Sequence, residues 1–287
     1  MEGLEKYLGE VPAWCPGCGN FAILRAFKEA LDAEGIEPYR FCIVSGIGQA
    51  GKFPHYVRCN TFNGLHGRAL PVATGMKLAN HEMLVVAVGG DGDMYGEGGN
   101  HLLHAIRRNI GVKLFVHDNQ IYGLTKGQAS PTSMEGMVTK NQPLGVLSGQ
   151  LNPMAMAVAL DCGFVARGYA GDHEHLKALI RSAFNHKGFS IVDILQPCVS
   201  LNKVNTYEWY GKRVYHIGDD HDPTDRIKAF ARALEWGDRI PIGLIYRNDR
   251  PSFESRLPVL AARPLVDGVG KWQELREKLA GSLNEFR

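Results

Sequence analysis

The sequence predicts a doubly wound α/β fold with a mostly parallel sheet and a C-terminal tail. Three observations point there. Short β-prone runs alternate with helix-prone segments, the runs are apolar almost without interruption, and glycine clusters follow several of them. A continuous apolar run is the pattern of a strand buried on both faces, and glycine after it marks the turn that leads on toward a helix. In such sheets ligands gather beyond the carboxyl ends of the strands, so function is sought in those loops.

In chain order, Phe21, Ile23, Leu24, Phe27 and Leu31 have helical spacing, with Asn20 in the position of an N-cap and Gly35 ending the run. Strands are expected at 41–45, 83–89, 112–118 and 190–195, with helices between them at 70–79, 98–108, 153–160 and 174–186. Further helices are expected at 223–236 and from about Lys271 to Leu279, and a late strand at 241–246. Residues 1–200 are expected to form the ligand-binding domain, behind an N-terminal Cys-x-x-Cys arm. Residues 201–287 are expected to form an extension packing on that domain or on a partner subunit.

A chain of 287 residues with 45% apolar content can bury a substantial core. Its formal charge of +2, from 32 basic and 30 acidic residues, leaves no excess to attract nucleic acid or an anionic membrane. The start, Met1-Glu-Gly-Leu-Glu-Lys-Tyr7, has no basic stretch followed by an apolar run, and no apolar segment is long enough to span a bilayer. The expected location is the cytoplasm.

The strongest functional signal is Gly89-Gly90-Asp91-Gly92-Asp93 after one strand, answered after the next by Asp118-Asn119-Gln120-Ile121-Tyr122-Gly123. A hard divalent cation needs fixed oxygen ligands, and a carboxylate at one strand end with an amide at its neighbour supplies two. Glycines beside Asp91 let backbone N–H groups approach a diphosphate, and a helix starting near Gly98 would turn its positive end to the anion.

Two other motifs occupy the loop after the first strand. Gly46-Ile-Gly48-Gln-Ala-Gly51 has the dinucleotide-binding spacing, but Pro54 interrupts the required helix and no acid closes the following unit. Gly46 to Lys52 also matches a P-loop, except that Phe53 stands where a hydroxyl must reach magnesium. A nucleotide-binding module using residues 46–52 is therefore the competing reading from another class, and Lys52 is available for a carboxylate.

The six cysteines lie at 15, 18, 42, 59, 162 and 198. In Trp14-Cys15-Pro-Gly-Cys18 only a short arm precedes the pair, which removes the thioredoxin reading and leaves zinc, an iron–sulfur cluster or plain structure. A pair two residues apart cannot close a four-ligand site, and Cys198 at a strand end is the best distant candidate. Cys42 and Cys162 read as buried apolar residues.

Together these segments resemble the β subunit of the 2-oxoacid:ferredoxin oxidoreductases. The match is carried by Trp14 to Gly19, Ser45 to Gly48, His66-Gly-Arg-Ala-Leu-Pro71, Gly89 to Asp93, Arg107 to Ile110, Asp118 to Thr125 and Gly127-Gln-Ala-Ser-Pro-Thr132. They span about the first 200 residues in the family's order. The resemblance implies the thiamine diphosphate-binding type of the predicted fold. Magnesium would be held by Asp91, Asn119 and the Ile121 carbonyl. Gly46, Ile47, Gly48, Gln49, His66, Gly90, Gly92, Asp93, Gly123, Leu124 and Thr125 would lie against the cofactor, and His66, Lys52, Leu124 and Lys126 near the reacting groups.

The family also implies a 4Fe-4S cluster on four cysteines, electron transfer to ferredoxin, coenzyme A as acyl acceptor, and an α (or fused α/γ) subunit that supplies the activating carboxylate. Here the chain departs: Gln49 stands where the third cysteine belongs, and glutamine is a poor iron ligand beside thiolate. Cys59 as a replacement, a three-cysteine cluster, and no cluster are the outcomes left open. The Gly46 to Lys52 loop and the Asn60 to His66 segment look more like 2-oxoglutarate-type members than pyruvate-type ones. A pyruvate:ferredoxin oxidoreductase, or a non-oxidative thiamine-dependent decarboxylase or synthase, is the alternative.

Overall fold

The computed structural model describes residues 2–268 and 272–285. Eight strands form one sheet: β1 (Phe41–Ser45), β2 (Asn60–Asn63), β3 (Leu84–Gly90), β4 (Val112–Asp118), β5 (Phe164–Tyr169), β6 (Ser190–Leu195), β7 (Val214–His216) and β8 (Ile240–Arg247). Their spatial order is β2-β1-β3-β4-β6-β5-β8-β7, parallel throughout except where β8 runs antiparallel to β5.

The helices are α1 (Glu2–Glu5), α2 (Gly19–Ala33), α3 (Ala69–Ala79), α4 (Gly99–Arg108), α5 (Pro153–Ala159), α6 (His173–Asn185), α7 (Tyr207–Gly211), α8 (Arg226–Ala233) and α9 (Trp272–Glu285). Lys271, where the sequence places the start of the last helix, lies outside the described residues. No helix among the described residues is long and apolar enough to cross a membrane.

Alternation along the strands divides the core between two layers. Val86 and Val88 of β3 join the cluster under α2 and α6, while Val85 and Ala87 join the one under α3, α4, α5 and α8. In the first layer Phe27 of α2 meets Phe53, Phe115 of β4 and Phe184 of α6 edge-on, with ring centroids 5.2, 5.8 and 5.5 Å away. Burying each such ring is worth about 1.5–3 kcal/mol, and the edge-on geometry adds to that.

Register brings the functional loops to one edge. Ser45 pairs with Val88, Gly90 with His117, and Asp118 with Leu195. The residues that follow β1, β3, β4 and β6 therefore leave the sheet side by side. These are Gln49, Asp91, Asn119 and Cys198.

Three strands lie beyond the sequence expectation, namely β2, β5 and β7. After residue 200 the chain is continuous with the sheet, since β8 is hydrogen-bonded to β5. One local expectation is corrected and another refined. Asn20 does not cap α2: the helix starts at Gly19, with Cys18 in the cap position, and the Asn20 amide is engaged by His117 instead. The helix expected from Gly98 is present as α4, but the chain after β3 does not enter it at once. It first makes a π turn over Gly92–Glu97, in which the Gly98 N–H donates to the Asp93 carbonyl at 2.9 Å. The backbone that meets the site is this wider turn, a distortion that recurs at functional sites.

Candidate cofactor site

Asp91, Asn119 and Ile121 line one cavity, together with Ile47, Gly48, Gln49, His66, Gly90, Gly92, Asp93, Gly123, Leu124 and Thr125. Gly46 lies one layer behind: a Cβ there would run into the Asp93 carboxylate, so only glycine fits. Neither lysine lines the cavity. Lys52 is half-buried on the 3-10 helix Ala50–Tyr56, and Lys126 is exposed at a left-handed turn with φ +79°. Leu124, 42% exposed, sits at the mouth.

A built-in clamp holds Asp91. Its Oδ2 accepts from Ser130 Oγ at 2.5 Å and from Thr132 Oγ1 at 2.6 Å, so both side-chain bonds fall on one oxygen. Thr132 Oγ1 also lies 2.8 Å from Asp118 Oδ1. One hydroxyl carries one proton and cannot donate to both carboxylates. Asp118 is buried near the charges of Asp193 and Asp91, with burial the largest cause, and its carboxyl is held far above the ordinary range. Thr132 therefore stands between two buried carboxyls and donates to one of them at a time.

Asn119 turns its Oδ1 toward the Ile121 N–H at 3.1 Å, and Gln120 between them is left-handed at φ 58°. Asn119 and Ile121, on either side of that turn, both line the cavity. Ser133 Oγ fixes the turn by donating to the Gln120 carbonyl at 2.6 Å.

His66 and Asp93 form a second pair. His66 Nδ1 and the Gly67 N–H reach Asp93 Oδ1 at 2.8 and 2.7 Å. Nδ1 thus carries the proton, and Nε2 is left as the free ring nitrogen at the cavity. His117 also lines the cavity; its Nδ1 is 2.7 Å from Asn20 Oδ1. Burial pushes its pKa down to about 3, so it is neutral.

The donor set suits a magnesium-bound diphosphate on two counts. Burial raises the Asp91 carboxyl, a strain that a divalent cation relieves. A Cβ on Gly90 or Gly123 would meet its first neighbour only at 3.9 or 3.7 Å, so both backbones face open space where a ligand can approach.

Beside this cavity lies a second, lined by Trp14, Cys15, Cys18, Asn20, Cys198 and Gln196, and the two share Gln49, Asn119 and Gly123. Gln196 Nε2 donates to Cys18 Sγ at 3.4 Å. Burial raises the Cys18 thiol to about 11, and the Cys198 and Cys15 sulfurs beside it add to the shift. A thiolate there needs a bound cation.

Cys59 is the correction. It is packed under α2 and β1 with its Sγ 3.7 Å from the Val57 carbonyl, its thiol pushed up to about 12 by burial with Cys42 nearby, and it does not line the cavity. Cys42 pairs with Asn60, so Cys59 sits at the start of the strands, while Gln49 follows their far end. His117, Asn20, Ser130, Thr132 and Asp118 are the site-supporting residues that sequence reasoning did not assign. The polar run Ser130-Pro-Thr-Ser133 was their one visible signal.

Known proteins resemble this chain over most of its length. Residues 46–194 match the family model "Thiamine pyrophosphate enzyme, C-terminal TPP binding domain". The C-terminal family model of the pyruvate ferredoxin oxidoreductase beta subunit matches residues 198–262. A 2-oxoacid:ferredoxin oxidoreductase subunit beta from Sulfolobus sp is 47% identical over 280 residues, covering 90% of this chain and 92% of the relative. The 2-oxoglutarate oxidoreductase subunit KorB of Mycobacterium tuberculosis is 44% identical, over 66% of this chain and 51% of its own length. Among solved structures, 2-oxoglutarate:ferredoxin oxidoreductase from Magnetococcus marinus, with 2-oxoglutarate, coenzyme A and succinyl-CoA bound, superposes with a TM-score of 0.86 at 35% identity. That match covers 96% of this chain and 90% of the other. The chain is a thiamine diphosphate-binding oxidoreductase subunit and belongs to the β subunits of the 2-oxoacid:ferredoxin oxidoreductases.

Proposed function

We propose that this chain forms the thiamine half of an αβ enzyme that oxidises 2-oxoglutarate, with coenzyme A taking the acyl group and ferredoxin the electrons. The observation that carries the proposal is the wall of Gln49, Asn119 and Gly123 shared by the Asp91 cavity and the cysteine cavity. A carbanion centre and an electron acceptor are useful to each other only in such proximity.

When bound, thiamine diphosphate supplies the carbanion that attacks the 2-oxo carbon and then stores the electrons left by CO2. Asp91, Asn119 and the Ile121 carbonyl would hold magnesium, and Gly90, Gly92 and the π turn would face the diphosphate. Thr132 and Ser130 orient the metal carboxylate. His66, fixed by Asp93, presents Nε2 as a hydrogen-bonding group at the cavity. Cys15, Cys18 and Cys198 would hold an iron–sulfur cluster. The α chain would supply the carboxylate that activates the aminopyrimidine, and exposed residues after Asn202 would meet the partner subunit.

The KorB relatives and the Magnetococcus marinus structure support 2-oxoglutarate over pyruvate. The test is coenzyme A-dependent reduction of ferredoxin or a viologen dye by the purified αβ complex. The proposal expects 2-oxoglutarate to give a higher kcat/KM than pyruvate. Release of an aldehyde product with no dye reduction would establish the non-oxidative reaction, which Gln49 favours.

A further inference from the structure

We infer that the cysteine cavity is a three-thiolate site whose fourth corner falls to the Gln49 amide, so that a cluster built there carries one exchangeable iron on the wall facing the thiamine cavity. The inference rests on the cluster reading above.

Three cysteines share one cavity wall and no fourth joins them among the described residues. Cys15, Cys18 and Cys198 line the cavity with Gln49. Cys162 is fully buried against the Phe164 and Phe189 carbonyls. Cys42 lies within β1, its thiol directed at Met76 Sδ 3.4 Å away. Cys59 packs near the opposite end of β1 from Gln49. Reaching the cavity would require the β1–β2 pairing to open.

Gln49 is held in place for the remaining corner. Its carbonyl accepts the Trp14 indole N–H at 2.8 Å, which ties it to the arm carrying Cys15 and Cys18. Its Oε1 is buried and has no hydrogen-bond partner among the described residues. An orphaned amide oxygen in a cavity with three thiols is a donor awaiting a cation. Gln49 and Gly123 belong to both cavities, which places this corner on the thiamine side.

Neutral amide oxygen is a weak ligand for an iron that prefers sulfur. A one-electron oxidant such as ferricyanide then has a defined effect. The four-iron cluster in its 2+ state loses the corner iron as Fe2+ and passes one electron to the oxidant, leaving a three-iron cluster of charge 1+ with all its sulfide. Fe2+ and a reductant reverse the step.

The experiment uses the αβ complex, purified and reconstituted without oxygen using Fe2+ and sulfide, as wild type and as Gln49→Cys. Iron, sulfide and zinc are counted, and electron paramagnetic resonance spectra are taken before and after one equivalent of ferricyanide. The expected result is that wild type falls from about four irons to about three per β chain, keeps its sulfide, and gains the signal of an oxidised three-iron cluster. Gln49→Cys keeps about four irons and stays silent. Wild type retaining all its iron, or both proteins losing it equally, overturns the three-thiolate corner and leaves the cluster reading intact. Zinc without sulfide, or no metal in either protein, overturns the cluster reading itself.

Discussion

Trp14 donates its indole N–H to the carbonyl of Gln49 at 2.8 Å, joining the N-terminal cysteine arm to the loop after β1. The ring is seated edge-on against Phe21 and Tyr56, with centroids at 5.5 and 4.7 Å. Trp14→Phe keeps much of that packing and removes the donor, leaving a part-buried carbonyl unpaired, a loss of up to about 1–3 kcal/mol. Reconstituted iron content is expected to fall while thiamine diphosphate affinity stays within a few-fold. Equal losses of both would show that the bond supports the fold as a whole and not the cysteine cavity.

Thr132 stands between the Asp91 and Asp118 carboxyls. Thr132→Val preserves shape and removes the hydroxyl. Groups that orient a metal ligand typically matter about 10–100-fold in metal affinity, and a loss of that size is expected in magnesium-dependent thiamine diphosphate binding, read by tryptophan fluorescence. Ser130→Ala, which leaves Thr132 in place, should lose less. A Thr132→Val complex with wild-type affinity would refute the clamp.

Because Asp93 fixes the tautomer of His66, the two should act as one unit. Asp93→Asn and His66→Gln are each expected to lower kcat/KM by about 10–100-fold, and the double variant by no more than the worse single change. Multiplying losses would mean that the two residues act separately.

Lys113 gives a test of the fold away from the site. Burial lowers its pKa to about 7, and its Nζ donates to the Gly188 carbonyl at 2.9 Å and to that of His186. Between about pH 7 and pH 10.4 the unfolded chain therefore holds a proton that the folded chain lacks. Stability gained through this group rises with pH across that window, by at most about 4–5 kcal/mol, and the penalty is complete below it. Relative to Lys113→Met, wild type should gain in denaturation midpoint between pH 7 and pH 10. A constant difference would contradict the depressed value.

Strands buried on both faces were legible because they read as unbroken apolar runs. β5 was not, since Arg167 and Gly168 break its run. Arg167 is nonetheless fully buried beside Asp193, its Nε 3.9 Å from the carboxylate. β2, Asn-Thr-Phe-Asn, is exposed along its whole length and carries no apolar signal. Asp91 and Asn119 were legible because strand ends and glycines mark them. Ser130, Thr132 and His117 were not, because a polar residue serving another polar residue leaves no periodic trace. Cys59 was misplaced because ten residues of chain separate it from Gln49 while the length of a strand, about 13–17 Å, separates their ends of the sheet.

The proposed hold of Asp91 and Asn119 on thiamine diphosphate through magnesium is read by titrating the cofactor calorimetrically into the cofactor-stripped αβ complex, wild type and Asp91→Asn, with magnesium or with EDTA. Magnesium-dependent binding by wild type, weakened about 100-fold or more in a variant that retains its αβ assembly and Tm, is the predicted result. Equal affinity in the two proteins, or binding indifferent to EDTA, would contradict it.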